Sequence, residues 1–353
     1  MDASGANISP AKAITDLISR RYNRFAQWFR KGKMLPDSIT CVEKEKSPAI
    51  AGDSVCAIVV AYFPDEEFEA RIRELLPQIA QVVIVDNTPD NSITFRLQER
   101  FRNTARVQLI ENRANPGISV ALNQGLDYAL KAGYKWILTL DQDTQCYSDM
   151  VNTLLRVSNT CEWNPTVIGG NYFDPRNKDP KVPIRGNESF LEQKTVITSG
   201  CLVNASVAKE IGGFREDYFI DQVDHEFCLR MRARGHRVVI SRKPVMNHSV
   251  GTSGGASLPF FGVLPNHPPL RKYYISRNTV VTVADYWRQE PEWCLRRLGR
   301  LLLGLWLMAL LEEDRFDKVR AFACGVADGL RRRMGPCKRE LIYRSRAKKI
   351  SRC

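Results

Sequence analysis

Asp141 and Asp143 stand two residues apart at the end of a short apolar run, Trp136-Ile137-Leu138-Thr139-Leu140, with Gln142 between them. Carboxylate oxygens are hard donors, and Mg²⁺ is commonly held by one or two of them together with substrate phosphates. The pair therefore suits Mg²⁺ or Mn²⁺ bound jointly with a diphosphate. The same two residues also suit a solvated turn, since Asp is a favoured turn residue. The surrounding chain decides between these readings.

Residues 136–140 are continuously apolar and bounded by polar residues, as a buried strand is. An open α/β sheet places its ligand crevice at the carboxyl ends of its strands, where an alternating backbone can aim Asp141 and Asp143 to one side. Earlier segments repeat the pattern. Residues 56–62 form a strand ending at Tyr62, followed by Phe63-Pro64-Asp65 and a helix through Leu76; after Pro77, residues 82–85 form a strand that ends on Asp86. A strand over 107–110 follows, then a helix over 117–132 with Ile118, Leu122, Leu126 and Ala129 on one face. Strands alternating with helices predict a mainly parallel sheet of nucleotide-binding type, with Tyr62, Asp86 and the Asp141/Asp143 pair at one crevice.

Downstream, the pattern predicts a helix over 148–157 and a loop-rich stretch to Lys194 with prolines at 165, 175, 180 and 183. A strand over 196–203, broken by Ser199-Gly200, and a short helix over 205–211 closed by Gly212-Gly213 come next. Tyr218-Phe219-Ile220-Asp221 leads into a helix through Arg234, which Gly235 stops. A strand over 238–240 precedes His248-Ser249-Val250-Gly251 and a Gly/Ser/Pro-rich loop over 252–269.

The chain has 353 residues, 44% of them hydrophobic, enough for a large buried core. Its ten cysteines show neither a Cys-x-x-Cys nor the spacing of a zinc site, and several lie in apolar runs, as expected in a reducing compartment. The first forty residues hold no apolar signal core. Ile14, Leu17, Ile18, Tyr22, Phe25, Trp28 and Phe29 recur at helical spacing among arginines and lysines, so residues 1–50 read as a basic amphipathic extension and linker. That helix could pack on the protein or lie on a membrane. The net charge of +13 is concentrated at the other end, where residues 331–353 hold ten Lys/Arg against one Glu. Residues 271–287 read as a helix, and residues 301–311 form an uncharged run behind Arg296, Arg297 and Arg300. Eleven helical residues span roughly 16 Å, against about 30 Å of hydrocarbon. The run cannot cross a bilayer, but it suits an interfacial helix on anionic lipid as well as a core helix.

Five pieces then occur in order: Val85-Asp86-Asn87; Asn115-Pro116-Gly117-Ile118-Ser119-Val120-Ala121-Leu122-Asn123-Gln124-Gly125; Asp141-Gln142-Asp143; Gly212-Gly213-Phe214; and Asp221-x-x-Asp224-x-Glu226-x-x-x-Arg230. This ordered set resembles the family 2 glycosyltransferases, whose catalytic domain has the α/β GT-A fold. His248-Ser249-Val250-Gly251 and Arg271-Lys272-Tyr273-Tyr274-Ile275-Ser276-Arg277-Asn278 resemble the rhamnosyltransferase branch.

The resemblance implies that Ala61, Tyr62, Asp86, Asn123 and Asp141 bind the nucleotide-sugar. It also implies that Asp141, Asp143 and His248 hold Mg or Mn. An acceptor hydroxyl needs a base to take its proton, and Asp224 matches the aspartate of the family's Glu-Asp pair, although Val223 stands where the glutamate would be. Asp221 is the rival base, and it also suits an N-cap with Asp224 at the third helical position. Glu226 is spaced to pair with Arg230, which could instead orient the loop. Arg271 and Arg277 could each reach a phosphate of donor or acceptor.

The reading is thus an inverting, metal-dependent GT-A enzyme, with residues 51–265 catalytic and residues 266–353 helical, apolar and basic. It is expected to be cytoplasmic and peripheral on the inner face of the cell membrane. The expected donor is dTDP-L-rhamnose, with a UDP-sugar such as UDP-galactofuranose or UDP-N-acetylglucosamine as the alternative. The expected acceptor is a polyprenyl-diphosphate-linked glycan on the way to a surface polysaccharide, with an anionic membrane surface as a further partner. A sugar-phosphate nucleotidyltransferase would need a Gly-rich, basic phosphate loop after the first strand, where this chain reads Tyr62-Phe63-Pro64-Asp65-Glu66-Glu67. A nucleic-acid-binding protein would explain the basic tail but not carboxylates gathered at strand ends, so no nucleic-acid partner is expected.

Overall fold

The computed structural model describes residues 54–160, 163–174, 179–186, 188–248, 257–258, 262–263 and 266–339. The expected amphipathic extension, Ser249-Val250-Gly251 and the last part of the basic tail lie outside these residues.

Strands β1 (Val55–Ala61), β2 (Gln81–Asp86), β3 (Val107–Glu111) and β4 (Trp136–Asp141) are parallel, in the order β3-β2-β1-β4. Helices α1 (Phe68–Leu75), α2 (Asn91–Phe101) and α3 (Ile118–Lys131) connect them. After β5 (Gln145–Cys146) and α4 (Met150–Thr160), β6 (Val167–Phe173), β7 (Phe190–Glu192), β8 (Cys201–Asn204) and β9 (Val238–Asn247) extend the sheet. β8 runs antiparallel to both β4 and β6, while β6 and β9 are parallel, so the sheet is mixed, with a parallel nucleotide-binding half. Alternate residues of β1 serve opposite faces, as the pleat requires. Val55, Ala57 and Val59 pack against Phe68, Ile72 and Leu75 of α1, whereas Cys56 and Ile58 pack against Leu122 and Leu126 of α3. α5 (Ala205–Glu210) and α6 (Val223–Ala233) complete that second face.

Several boundaries differ from the sequence reading. The strand expected over 196–203 begins only at Cys201, and the strand expected over 238–240 runs on to Asn247. The prolonged β9 matters, because it delivers His248 to the crevice. β6 was not expected within the loop-rich stretch; Gly169 and Gly170 dilute its apolar pattern. α2 was also missed, although the Asp90 side chain accepts from Ser92 N at 2.8 Å as an N-cap. Asp221 is not the N-cap of α6: that position is Gln222, so Asp224 is the second helical residue rather than the third.

Beyond the small hairpin of β10 (Ser257–Leu258) and β11 (Gly262–Val263) come α7 (Pro269–Tyr286), α8 (Pro291–Leu311) and α9 (Arg315–Leu330). α7 is buried along much of its length, including Tyr273, Tyr274, Ser276, Arg277 and Asn278. α9 lies so close to it that a Cβ on Gly325 would overlap the Ser276 hydroxyl and the Tyr273 carbonyl. No helix among the described residues is long and apolar enough to cross a membrane.

Candidate active site

β4 ends on Asp141, the following turn presents Asp143, and β9 ends beside them at His248. One ligand atom from each of the three residues lies within 4.8 Å of the others. His248 Nε2 is 3.7 Å from an Asp141 oxygen, and Nδ1 is 3.9 Å from an Asp143 oxygen. The imidazole is buried and held. Thr144 Oγ1 lies 3.1 Å from Nδ1, and Ser199 Oγ lies 2.5 Å from that Thr144 oxygen. Ser199 Oγ also accepts from Asp141 N at 3.1 Å, so one hydroxyl pair ties the strand end to the histidine. With Nδ1 engaged, Nε2 is the nitrogen turned to Asp141, the kind of outer contact that fixes a metal-ligating imidazole.

Two carboxylates and an imidazole form a donor set that fits Mg²⁺ or, with its tolerance for nitrogen, Mn²⁺. The electrostatics agree. Burial raises the Asp141 carboxyl above its ordinary range, His248 opposes this, and Asp143 and Asp224 push it further up. A cation is the charge that would relieve such a cluster.

The second half of the site is the segment from Tyr218 to Asp224. Phe219, Asp221 and Gln222 all adopt positive φ, at 64°, 64° and 65°. Non-glycine residues in that region are strained and need surrounding contacts to hold them. Asn278 of α7 provides three, its amide donating to the carbonyls of Tyr218, Ile220 and Asp221 at 3.0, 2.8 and 2.9 Å. The Phe219 carbonyl reaches back to Ile118 N at 2.8 Å, and Gly117, at φ 102°, leaves the room: a Cβ there would sit 2.6 Å from that carbonyl. The Asn-Pro-Gly turn and the 218–222 loop are thus packed against each other.

The two candidate bases differ in how they are engaged. The Asp221 carboxylate pairs with Arg271 Nε at 3.2 Å. Its pKa is raised by burial and restrained by that arginine. Asp224 accepts from His225 N at 2.8 Å and makes no ion pair among the described residues. The charges of both Asp224 and Arg271 bear on the Asp141 carboxyl, the first raising it and the second holding it down.

Other expected site residues are placed differently. Arg277 does not face a phosphate: it is fully buried, and its guanidinium donates to the carbonyls of Gly335, Asp217 and Tyr218 and to Asn278. It anchors the segment that leads into Asp221 and Asp224. Asn123 likewise serves the fold, donating to the Phe214 carbonyl and Glu216 and accepting from Phe214 N. Asp86 is fully buried, with one oxygen accepting from Thr88 N and the other from the Thr94 hydroxyl. Contact with a donor base requires Asp86 to share or release those bonds. The Ala61 side chain is buried, and its carbonyl accepts from Asn87 N. Tyr62 is exposed at the crevice mouth, and its backbone is tied to the Gln142 side chain in both directions. Arg230 orients the loop as well as pairing with Glu226, donating to the carbonyls of Ile211 and Gly213.

Sequence reading missed Gln142, Thr144 and Ser199 as positioning residues, and also Arg71. Arg71 donates to the Gln142 carbonyl and, with Glu67, Glu74, Asp143 and His248, lines a cleft of about 340 Å³. The Ser199-Gly200 interruption of an apolar strand was a usable signal; nothing local marked Arg71.

The family model for glycosyl transferase family 2 matches residues 56–211. The chain is similar to the dTDP-rhamnosyl transferase RfbF of Shigella flexneri, with 30% identity over 295 residues, covering 79% of this chain and 96% of that protein. The fold is similar to that of S. aureus TarS, with a TM-score of 0.54 and 14% identity over 79% of this chain. It is also similar to that of GalNAc-T7 solved with UDP, GalNAc and Mn²⁺, with a TM-score of 0.50 and 12% identity over 68% of this chain. The chain spans about half the length of those two structures, 49% in each case.

Proposed function

Because the chain belongs to glycosyl transferase family 2 and is a glycosyltransferase of rhamnosyltransferase-like sequence, we propose that it moves L-rhamnose from dTDP-L-rhamnose, with inversion, to a hydroxyl of a lipid-linked oligosaccharide in surface polysaccharide synthesis. The near-complete alignment with a dTDP-rhamnosyl transferase supports the donor. The mechanism is supported by one observation: Asp224 makes no ion pair among the described residues, and its charge bears on Asp141 of the Asp141/Asp143/His248 cluster.

Asp224 takes the proton of the acceptor hydroxyl as its oxygen attacks the anomeric carbon. The new carbon–oxygen bond forms as the bond to the diphosphate breaks, which inverts the centre and releases the nucleoside diphosphate. Asp141, Asp143 and His248 would hold a divalent cation, which when bound would supply Lewis-acid stabilisation of the negative charge on the leaving group. Thr144 and Ser199 hold His248 in place for that task. Asp221 and Arg271 shape the acceptor side, and Asn278 and Arg277 keep the strained loop in register. Tyr62 and the strand ends behind it, Ala61 and Asp86, border the donor base.

The exposed apolar side of α8 supports a lipid-anchored acceptor and a position on the inner face of the cell membrane. The outer face of that helix exposes Leu295, Leu302, Trp306 and Leu310 on one stripe, more apolar surface than a solvated helix presents. The donor is tested with a panel of dTDP-, UDP- and GDP-sugars and Mg²⁺ or Mn²⁺. Release of dTDP from dTDP-rhamnose above all others is expected, and a preference for a UDP-sugar overturns the rhamnosyl assignment.

A further inference from the structure

We propose that Arg297 and Arg300 of α8 form an anion subsite that takes the acceptor's phosphate group beside the candidate base. The inference rests on the reading above that the acceptor is carried on a lipid diphosphate, and it names where that charge is met.

The placement follows from the start of α8. Trp293, in its first turn, is buried with its ring edge against His225 at 5.6 Å. His225 directly follows Asp224 and donates its backbone N–H to the Asp224 carboxylate. Arg297 is four residues after Trp293 and Arg300 three further on, so all three share one helical face, turned toward Asp224. The opposite face carries the exposed stripe of Leu295, Leu302, Trp306 and Leu310. One helix thus has a cationic side toward the site and an apolar side away from it.

Among the described residues neither arginine is held in an ion pair, unlike several cations around them. Nearby cations are matched: Arg296 pairs with Glu292, Lys194 with Glu290 and Glu292, and Arg232 with Glu290 and Glu192. Arg271 is matched by Asp221. Arg297 and Arg300 make no hydrogen bond or ion pair among the described residues, although Arg297 is partly buried. Burial pulls the Arg297 guanidinium below its ordinary range, Asp224 and Asp221 resist this, and Arg300 adds to it. Lys181, on the loop ahead of β7, joins the same neighbourhood: partial desolvation and the charge of Arg300 draw its ammonium down. Among the described residues, Asp224 and the already paired Asp221 are the carboxylates whose charge bears on Arg297, against the like charges of Arg300 and Lys181 nearby. Guanidinium groups match phosphate oxygens in geometry and charge, and they are less costly to desolvate than ammonium.

The donor also carries a diphosphate, so the test must separate the two sources. Transfer from dTDP-rhamnose is measured to two synthetic acceptors with the same saccharide, one on an alkyl diphosphate and one on a neutral alkyl chain. The wild type is expected to prefer the charged acceptor by about tenfold or more in kcat/KM, the scale of one or two charge-assisted hydrogen bonds. Arg297→Ala and Arg300→Ala bring the two acceptors to within about twofold, while Arg297→Lys keeps part of the preference. Arg300 is exposed, so its variant carries the test should Arg297→Ala fail to fold. An undiminished preference in the alanine variants overturns the subsite. A rise in donor KM measured with the neutral acceptor assigns the arginines to the donor and also overturns it. A wild type that uses both acceptors equally defeats this inference alone; a wild type that releases no nucleotide from any donor defeats the functional reading beneath it.

Discussion

Asp221 and Asp224 differ in what their oxygens already do. Asp221 is held by Arg271, so its carboxylate has a structural partner to lose. Asp224 accepts one backbone N–H and keeps its remaining lone pairs for a substrate proton. Asp224→Asn should therefore lower kcat by about 10² to 10⁴, the usual worth of a general base, with donor KM nearly unchanged. Asp221→Asn should cost less in kcat and show in a lowered melting temperature, since it leaves Arg271 unpaired. Equal losses in kcat from the two variants would contradict the assignment. At this scale the sequence was legible where the chemistry is contiguous: Asp141-Gln142-Asp143 announces itself at a strand end. It was not legible where contacts bridge distant segments. The Ser199–Thr144–His248 chain is built from two contacts, each between residues more than fifty apart. Arg277 reads like a phosphate ligand by type and is a buried strut by position.

Among the elements, the parallel half of the sheet was readable because its strands are continuous apolar runs ending on polar residues, as in β2 and β4. β6 and the extension of β9 were not, because glycines in one and Ser241-Arg242-Lys243 in the other break the apolar pattern that burial would otherwise print. α7 is the element on which the site depends most. It supplies Arg271, Arg277 and Asn278 to one loop and is backed by α9. Gly325 permits that backing. Gly325→Ala should destabilise the protein by about 1 to 3 kcal/mol through overpacking, read as a drop in melting temperature together with reduced turnover as the loop loosens. An alanine variant with unchanged melting temperature would show that α9 is not pressed on α7 as described.

For the whole molecule, charge and apolar surface are distributed unequally. The acidic cluster gathers at the strand ends, and α8 turns Leu295, Leu302, Trp306 and Leu310 outward. No helix among the described residues is long and apolar enough to cross a membrane, and the exposed apolar side of α8 suits an interfacial contact. Flotation with anionic vesicles should recover the protein, and Leu302→Glu with Trp306→Glu should weaken binding at least tenfold; equal binding by the double variant would place the contact elsewhere. The central claim, that Asp141, Asp143 and His248 hold the cation on which sugar transfer depends, has a more direct test. Nucleotide release from dTDP-rhamnose is followed while Mn²⁺ or Mg²⁺ is titrated into metal-free protein, with Asp143→Ala in parallel. The account predicts saturable, metal-dependent release in the wild type and a loss of about two orders of magnitude or more in the variant, on the scale of removing a principal charge-stabilising group. Release that persists in chelator, or that survives in Asp143→Ala, would contradict it.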